Sequence, residues 1–270
     1  MPEGLELDAY FERIGYHGSR EPTLPVLSGI LVAHMSRIPF ENLDVLLGRG
    51  VRLDLESLQQ KLVGARRGGY CFEHATLLAA VLEQLGFDLQ RRAARVVLFS
   101  PATESPRTHM FLTVTLPAGT FVVDPGFGGF GPRFPVPLET GAGSDNGSPT
   151  HWIARDGRRI TLRFKRADET IDGWVSDLDE ENHAIDFELG NYFTAMHPQS
   201  PFTQLVMMSI VTPSGRASLM NRDFTLHNGS DVTPKQIADR REFRRLLVDH
   251  YGFDLPEFDT LRIPAIPEWN

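Results

Sequence analysis

The hydrophobic pattern of the chain changes at Gly86, and this change limits the folds that the sequence can adopt. Before Gly86, apolar residues recur at helical spacing in three groups: Leu7, Tyr10, Phe11 and Ile14; Leu24, Leu27, Leu31 and Met35; Leu55, Leu58 and Leu62. Asp54 is a suitable N-cap for the third group. After Gly86, short apolar stretches lie between turn-rich segments: Ala93–Phe99, His109–Leu116, Phe121–Val123, Trp152–Ala154, Ile160–Phe164 and Ile171–Val175. We therefore predict an α+β protein in which helices precede an antiparallel sheet or barrel.

The last third of the chain mixes both patterns. Gln204–Val211 and Ala217–Leu219 read as strands, and Thr233–Gln236 resembles a capping box that would begin a helix. Residues 139–150 are predicted to form a mobile surface loop, and Arg155–Arg158 a hairpin turn. The chain is thus expected to end in a small α/β unit.

Composition excludes several classes of protein. A single cysteine rules out an internal disulfide and a cysteine-rich zinc site, and we predict no metal. The net charge of −8 argues against a nucleic-acid partner. No apolar run approaches the roughly 18 residues of a membrane helix, and the acidic, glycine-broken start is unlike a signal peptide. We expect a soluble, cytoplasmic protein with no membrane partner.

The only cysteine, Cys71, lies where a glycine pair gives way to a helical pattern. It follows Gly68, Gly69 and Tyr70 and opens a predicted helix that reaches Leu85. The positive end of a helix favours a thiolate, so this position suits a reactive cysteine. A buried, inert thiol is the alternative interpretation.

A nucleophilic cysteine requires a histidine base, and the base requires a group that orients it. His109 opens an apolar strand, and Asp124 closes the next strand, so a turn at residues 117–120 would bring the two together. Each could instead be a structural residue at a strand end or turn. His74 is a rival base because it lies on the same helical face as Cys71, although it would share a solvated first turn with Glu73.

A glycine-rich run, Gly126–Gly131, follows the strand that ends before Asp124 and matches the dinucleotide pattern G-x-G-x-x-G. That pattern must be followed by a helix, whereas three prolines occur within residues 132–137 here, so we reject a dinucleotide fold. The glycines instead favour the close approach of a phosphorylated or pantetheine-bearing ligand, or they form a plain turn.

Four segments together resemble the arylamine N-acetyltransferases, and the resemblance covers essentially the whole chain. They are Ile38-Pro-Phe-Glu-Asn-Leu-Asp44, Arg67-Gly-Gly-Tyr-Cys-Phe-Glu73, Thr108-His109, and Val123-Asp124 with Gly126-Phe-Gly-Gly129. The resemblance implies a helical bundle (residues 1–87), a β-barrel (88–200) and an α/β lid (201–270). Ala75 and Pro125 depart from the residues common at their positions in that family.

The resemblance also implies site residues and a reaction. It implies a triad of the cysteine-protease type, Cys71, His109 and Asp124, with acetyl-CoA as a cosubstrate and no permanently bound cofactor. Further residues are implied to line the acceptor pocket (Phe40, Phe127, Phe202) and to contact the donor's pantetheine arm and phosphates (Thr108, Gly126, Gly128).

The implied function is acetyl transfer from acetyl-CoA to arylamines or arylhydrazines through an acetyl-cysteine, as in xenobiotic metabolism, by a monomer or homodimer. Three alternatives stay open at this point. The acyl-enzyme could close a macrolactam as an amide synthase does, or the triad could serve a hydrolase or transglutaminase-like enzyme. The chain could also be a CoA-binding module with an idle triad.

Overall fold

The computed structural model describes residues 4–139, 151–166 and 168–269. Within these ranges the helices are α1 (Leu7–Ile14), α2 (Leu24–Arg37), α3 (Leu43–Leu46), α4 (Leu55–Leu58), α5 (Cys71–Gln84), α6 (Ala184–Met196) and α7 (Arg240–Leu246). The strands are β1 (Phe40–Glu41), β2 (Asp88–Val96), β3 (His109–Leu116), β4 (Gly119–Val123), β5 (Val136–Pro137), β6 (His151–Asp156), β7 (Arg159–Arg166), β8 (Glu169–Asp177), β9 (Met207–Thr212), β10 (Gly215–Met220), β11 (Asp223–Asn228) and β12 (Asp231–Gln236).

The predicted N-terminal helices are present and pack around α5. Asp54 caps α4 as predicted, with Oδ1 accepting the Ser57 backbone N–H at 3.0 Å. Gly86 follows α5 with a φ of +84°, which is the left-handed conformation that stops a helix. No helix in the described part of the chain is long and apolar enough to cross a membrane.

The middle of the chain forms a seven-stranded antiparallel sheet in the order β5-β4-β3-β2-β8-β7-β6. The two edge strands, β5 and β6, lie against each other, so the sheet nearly closes into a barrel. The predicted hairpin joins β6 to β7, with Gly157 at a φ of +59°. Of the predicted loop 139–150, residues 140–150 lie outside the described residues.

A second antiparallel sheet has the order β1-β9-β10-β11-β12 and carries α7 on one face. Its first strand comes from the N-terminal part of the chain, since Phe40 of β1 pairs with Ser209 of β9. Phe40 also forms a bridge to Gly69, in the segment that leads into Cys71. The segment that leads into Cys71 is therefore joined by strand pairing to the C-terminal sheet.

Two elements differ from the sequence prediction. Helix α6 has no counterpart among the predicted elements. The predicted capping box at Thr233–Gln236 is wrong, because these residues belong to β12 and the helix begins at Arg240. Pro234 is tolerated because β12 is an edge strand, and Asp239 is the actual N-cap, accepting the Glu242 backbone N–H at 2.8 Å.

Candidate active site

Cys71 is the first residue of α5 and is buried, with an exposed fraction of 3%. Glu73 stabilises this helix start, because its Oε2 atom accepts the Tyr70 backbone N–H at 2.9 Å. The Cys71 sulfur lies 3.6 Å from the carbonyl oxygen of Thr108, the residue that precedes β3. The thiol therefore lies where the helical part of the chain meets the barrel.

His109 and Asp124 come from neighbouring strands and meet beside Cys71. His109 is the first residue of β3 and Asp124 directly follows β4, and these strands pair as an antiparallel hairpin. The Nε2 atom of His109 lies 2.8 Å from Oδ2 of Asp124, and both side chains are buried. The structure thus brings together the two residues that the strand pattern places opposite each other.

The charges at this site favour a protonated imidazole. Burial opposes the charge on His109, but the Asp124 carboxylate and a hydrogen bond with Cys71 outweigh burial and raise the pKa of His109 to about 10. Because Nε2 is directed at Asp124, the opposite edge of the ring is the one available to the thiol. The three side chains form a connected chain of hydrogen bonds that can move a proton to or from the sulfur.

Asp124 has two further hydrogen-bond donors. The indole N–H of Trp174 donates to Oδ2 at 2.8 Å, and the Gly126 backbone N–H donates to Oδ1 at 3.3 Å. Trp174 is completely buried and stacks on Phe111 with ring centroids 4.2 Å apart. The sequence analysis gives no sign of this contact, because Trp174 lies 50 residues from Asp124 within an ordinary strand pattern.

His74 does not face the thiol. Its Nδ1 atom lies 2.8 Å from Nε2 of His34, and its own Nε2 atom lies 3.2 Å from the Pro39 carbonyl oxygen. The expectation that His74 and Glu73 share a solvated turn is wrong, since both are buried. Burial lowers the pKa of His74 to about 4, so the ring is neutral and both nitrogens are engaged. This environment argues against His74 as the base.

A buried group of charges holds the segment that precedes Cys71. Lys61 Nζ lies 2.7 Å from carboxylate oxygens of both Asp44 and Glu73, and Arg67 lies 2.7 Å from Glu41. Burial opposes the charge on Lys61, but the surrounding carboxylates outweigh it and raise the lysine's pKa. These contacts tie α3 and α5 to the segment that follows α4, around the glycine pair.

The three predicted pocket aromatics contact His109, one another, or the residue before Cys71. Phe127 contacts His109, with ring centroids 5.1 Å apart. Phe40 and Phe202 contact each other at 6.2 Å, and Phe202 also contacts Tyr70 at 5.4 Å. Phe127 thus lies against His109 and Phe202 against the residue before Cys71, and the contact of the three rings with an acceptor stays a prediction.

Two of the three residues predicted to contact the donor, Thr108 and Gly126, lie against Cys71. A Cβ atom on Gly126 would lie 2.4 Å from the Cys71 Cα, so the glycine is required by packing alone. Gly128 has a φ of +57° and lies against the Phe40 ring. Thr108 presents its carbonyl to the thiol. Local packing thus accounts for both glycines, and their contact with a donor stays a prediction.

Comparisons with known proteins agree with this geometry. A family model described as N-acetyltransferase matches residues 23–260. The curated protein named arylamine N-acetyltransferase from Mycobacterium tuberculosis is 36% identical over 263 residues, which cover 94% of this chain and 91% of the relative. The chain belongs to the arylamine N-acetyltransferase family. Its members are acyltransferases, and another relative of that name, from Escherichia coli, is 33% identical over 93% of this chain and 90% of its own length.

Solved structures of family members confirm the α+β fold class. The Mycobacterium smegmatis arylamine N-acetyltransferase superposes with a TM-score of 0.90 at 33% identity, covering 98% of this chain and 99% of that one. The Mycobacterium marinum enzyme, solved in complex with CoA, has a TM-score of 0.89 at 34% identity and covers 94% of each chain.

Proposed function

We propose that this enzyme transfers an acetyl group from acetyl-CoA to the nitrogen of arylamines or arylhydrazines, with an acetyl-cysteine on Cys71 as the intermediate. The observation that carries the proposal is the buried His109–Asp124 pair beside the chain's only cysteine at a helix start. The names of the relatives and the relative solved with CoA support the choice of acceptor and donor.

In the first half-reaction, the thiolate of Cys71 attacks the acetyl carbonyl carbon of acetyl-CoA. A new carbon–sulfur bond forms, the bond to the CoA sulfur breaks, and the imidazolium of His109 gives its proton to the departing thiolate. One thioester replaces another, so the acetyl group stays reactive. His109 is left neutral, and Asp124 keeps its ring oriented.

In the second half-reaction, the amine attacks the acetyl carbon on Cys71 and neutral His109 takes a proton from the nitrogen. Collapse of the tetrahedral intermediate releases the amide and restores the thiolate and imidazolium. The backbone N–H at the start of α5 is a suitable donor for the oxyanion, because the first N–H groups of a helix have no intrahelical partner. The rings of Phe40, Phe127 and Phe202 suit an aromatic acceptor.

Ping-pong kinetics test this mechanism. Double-reciprocal plots against acetyl-CoA at several arylamine concentrations should be parallel, because CoA leaves before the amine reacts. Acetyl-CoA alone should add one acetyl group to the peptide that contains Cys71, and the adduct should disappear on adding an arylamine. Intersecting plots without an adduct would contradict the acetyl-cysteine intermediate.

Variants separate the triad from its surroundings. Cys71→Ser, His109→Ala and Asp124→Ala should each remove nearly all transfer without loss of the fold, since members of a triad act as a unit. His74→Gln, on the same helix as Cys71, is the matched control and should keep its turnover. A folded His109→Ala enzyme with near-normal turnover would overturn the assignment of the base.

A further inference from the structure

Helix α6 carries large apolar side chains on its exposed side. Four of the eight large apolar side chains that are exposed in the described part of the chain lie on this one helix, and the other four occur singly elsewhere. Those on α6, with their exposed fractions, are Ile185 (66%), Leu189 (69%), Tyr192 (66%) and Met196 (50%). A single exposed apolar residue is ordinary, but a continuous row of them marks a surface that binds another molecule.

The buried side of α6 is, apart from one ring, made of small or polar residues: Phe187, Gly190, Asn191, Thr194 and Ala195. The Oδ1 atom of Asn191 accepts a hydrogen bond from the Tyr70 hydroxyl. A Cβ atom on Gly190 would lie 2.8 Å from the Phe72 ring, so only glycine fits there. A surface helix normally has its polar residues outside. The arrangement of α6 is thus the reverse of that expected for a helix whose outer side faces water.

The spacing of the exposed row indicates the shape of its partner. The four residues follow one another at intervals of four, three and four positions, which is the repeat by which one helix packs along another. The partner must therefore be a helix of similar length that presents a matching apolar row. Within residues 4–139, 151–166 and 168–269, α6 is the only helix that exposes such a row. The matching surface is α6 of a second copy.

The charges of α6 favour an antiparallel pair. Its two acidic residues, Asp186 and Glu188, lie in the N-terminal half, and no acidic residue occurs from Leu189 to Met196. A parallel pair would bring the acidic halves of both helices together, and their like charges would repel. An antiparallel pair separates the acidic halves and also opposes the two helix dipoles, which is the favourable arrangement.

The area of the row is enough for a weak dimer. The four side chains together expose on the order of 500 Å² in each copy, given that one aromatic side chain alone can bury about 150–250 Å². Two copies would bury on the order of 1,000 Å², which is the least that a specific interface buries. Permanent dimers bury more, so we expect a dissociation constant of about 10–100 µM.

We propose that the row Ile185, Leu189, Tyr192 and Met196, here called the α6 row, binds the same row of a second copy in an antiparallel homodimer. A two-fold axis between Leu189 and Tyr192 would place each Leu189 against the partner's Tyr192. It would likewise place each Ile185 against the partner's Met196. The dimer is independent of the reaction proposed above, because the α6 row contains none of the residues assigned to that reaction.

Sedimentation equilibrium of the full chain between about 1 µM and about 200 µM tests the proposal. The unsubstituted enzyme should pass from monomer to dimer within this range. Leu189→Glu would bury an unpaired carboxylate in the contact, so it should weaken the dimer at least about a hundredfold and leave a monomer. Tyr192→Ser, which adds no charge, should weaken the dimer about tenfold or more. Val248→Glu, at an exposed apolar position outside α6, is the matched control and should leave the dimer unchanged.

Disulfide formation tests the direction of the two helices. Leu189→Cys mixed with Tyr192→Cys should form a mixed disulfide dimer under mild oxidation faster than either variant alone, because antiparallel helices place these two positions opposite each other. The unsubstituted enzyme, whose Cys71 is buried, should form no disulfide dimer.

Other results overturn the proposal. A monomer at every concentration would exclude the homodimer and reserve the α6 row for a different protein. A dimer that persists in both Leu189→Glu and Tyr192→Ser, or that Val248→Glu weakens equally, would place the contact elsewhere on the molecule. Faster linking of Leu189→Cys to itself than to Tyr192→Cys would indicate parallel helices and contradict the antiparallel pair.

Discussion

Mild acid should destabilise this protein through a buried pair of neutral histidines. Tyr10, His34 and His74 form a chain of hydrogen bonds, with 2.8 Å between the Tyr10 hydroxyl and His34 and 2.8 Å between the two imidazoles. The chain ends at the Pro39 carbonyl, next to the segment that carries Phe40. Protonation of either ring would place a charge among completely buried groups.

The sign and size of the effect follow from the pKa of each ring. Burial lowers the pKa of His74 to about 4 in the folded protein, and burial and the neighbouring His74 lower that of His34. The unfolded chain binds these protons near pH 6.5, so the histidines' contribution is complete above pH 6.5 and is lost as the pH falls toward 4. His74 alone should remove about 2 kcal/mol of unfolding free energy between pH 7 and pH 5, and His34 acts in the same direction.

Urea unfolding at pH 7 and pH 5 measures the effect, with His74→Gln as the test variant. Glutamine offers an acceptor for His34 and a donor for Pro39 but does not titrate. The loss of unfolding free energy between the two pH values should therefore be about 2 kcal/mol smaller in the variant. His17→Gln, at an exposed position, should change nothing. Other titrating groups, such as Glu73, contribute equally to the pH dependence of both proteins and cancel when the variant is compared with the unsubstituted protein. The same loss of unfolding free energy in His74→Gln as in the unsubstituted protein would therefore refute the reasoning.

Two further substitutions test the supports of the site. Trp174→Phe removes the indole N–H that donates to Asp124 and keeps an aromatic ring. The value of kcat should fall about tenfold or more, and the pH profile of kcat should shift. An unchanged pH profile would mean that the tryptophan only fills space. Lys61→Met leaves the Glu73 carboxylate without its cation, so the unfolding free energy measured by urea titration should fall by about 3–5 kcal/mol. A fall of less than about 1 kcal/mol would show that the ion pair contributes little.

The local pattern predicts the elements that carry Cys71, His109 and Asp124. Cys71 begins a helix because a glycine pair precedes an apolar repeat, and His109 and Asp124 end up adjacent because a short turn joins their two strands. Such arrangements depend on residues that are near in sequence. The hairpin at Gly157 is predictable for the same reason.

Contacts between distant segments could not be predicted in this way. Trp174 lies on β8 and Asp124 directly follows β4, so their contact depends on the strand order β4-β3-β2-β8 in the barrel. No local spacing in the sequence encodes that order. The capping-box pattern at Thr233–Gln236 failed because a sheet edge outside this segment was available to it. The neutral state of His74 likewise depends on its complete burial in the folded protein, where its ring contacts His34 of another helix.

Strand β1 has a consequence for how the enzyme is made. Asn42, beside this strand, donates to the Phe202 carbonyl, a contact that spans 160 residues. At the usual rate of translation, Phe202 is added to the chain roughly ten to thirty seconds after Asn42. Until then the segment that carries Cys71 lacks its neighbouring sheet, and Phe40 and Tyr70 lack their contacts with the Phe202 ring. Substitutions in the last third of the chain should therefore lower the yield of folded enzyme made at 37 °C more than they lower the turnover of the molecules that do fold.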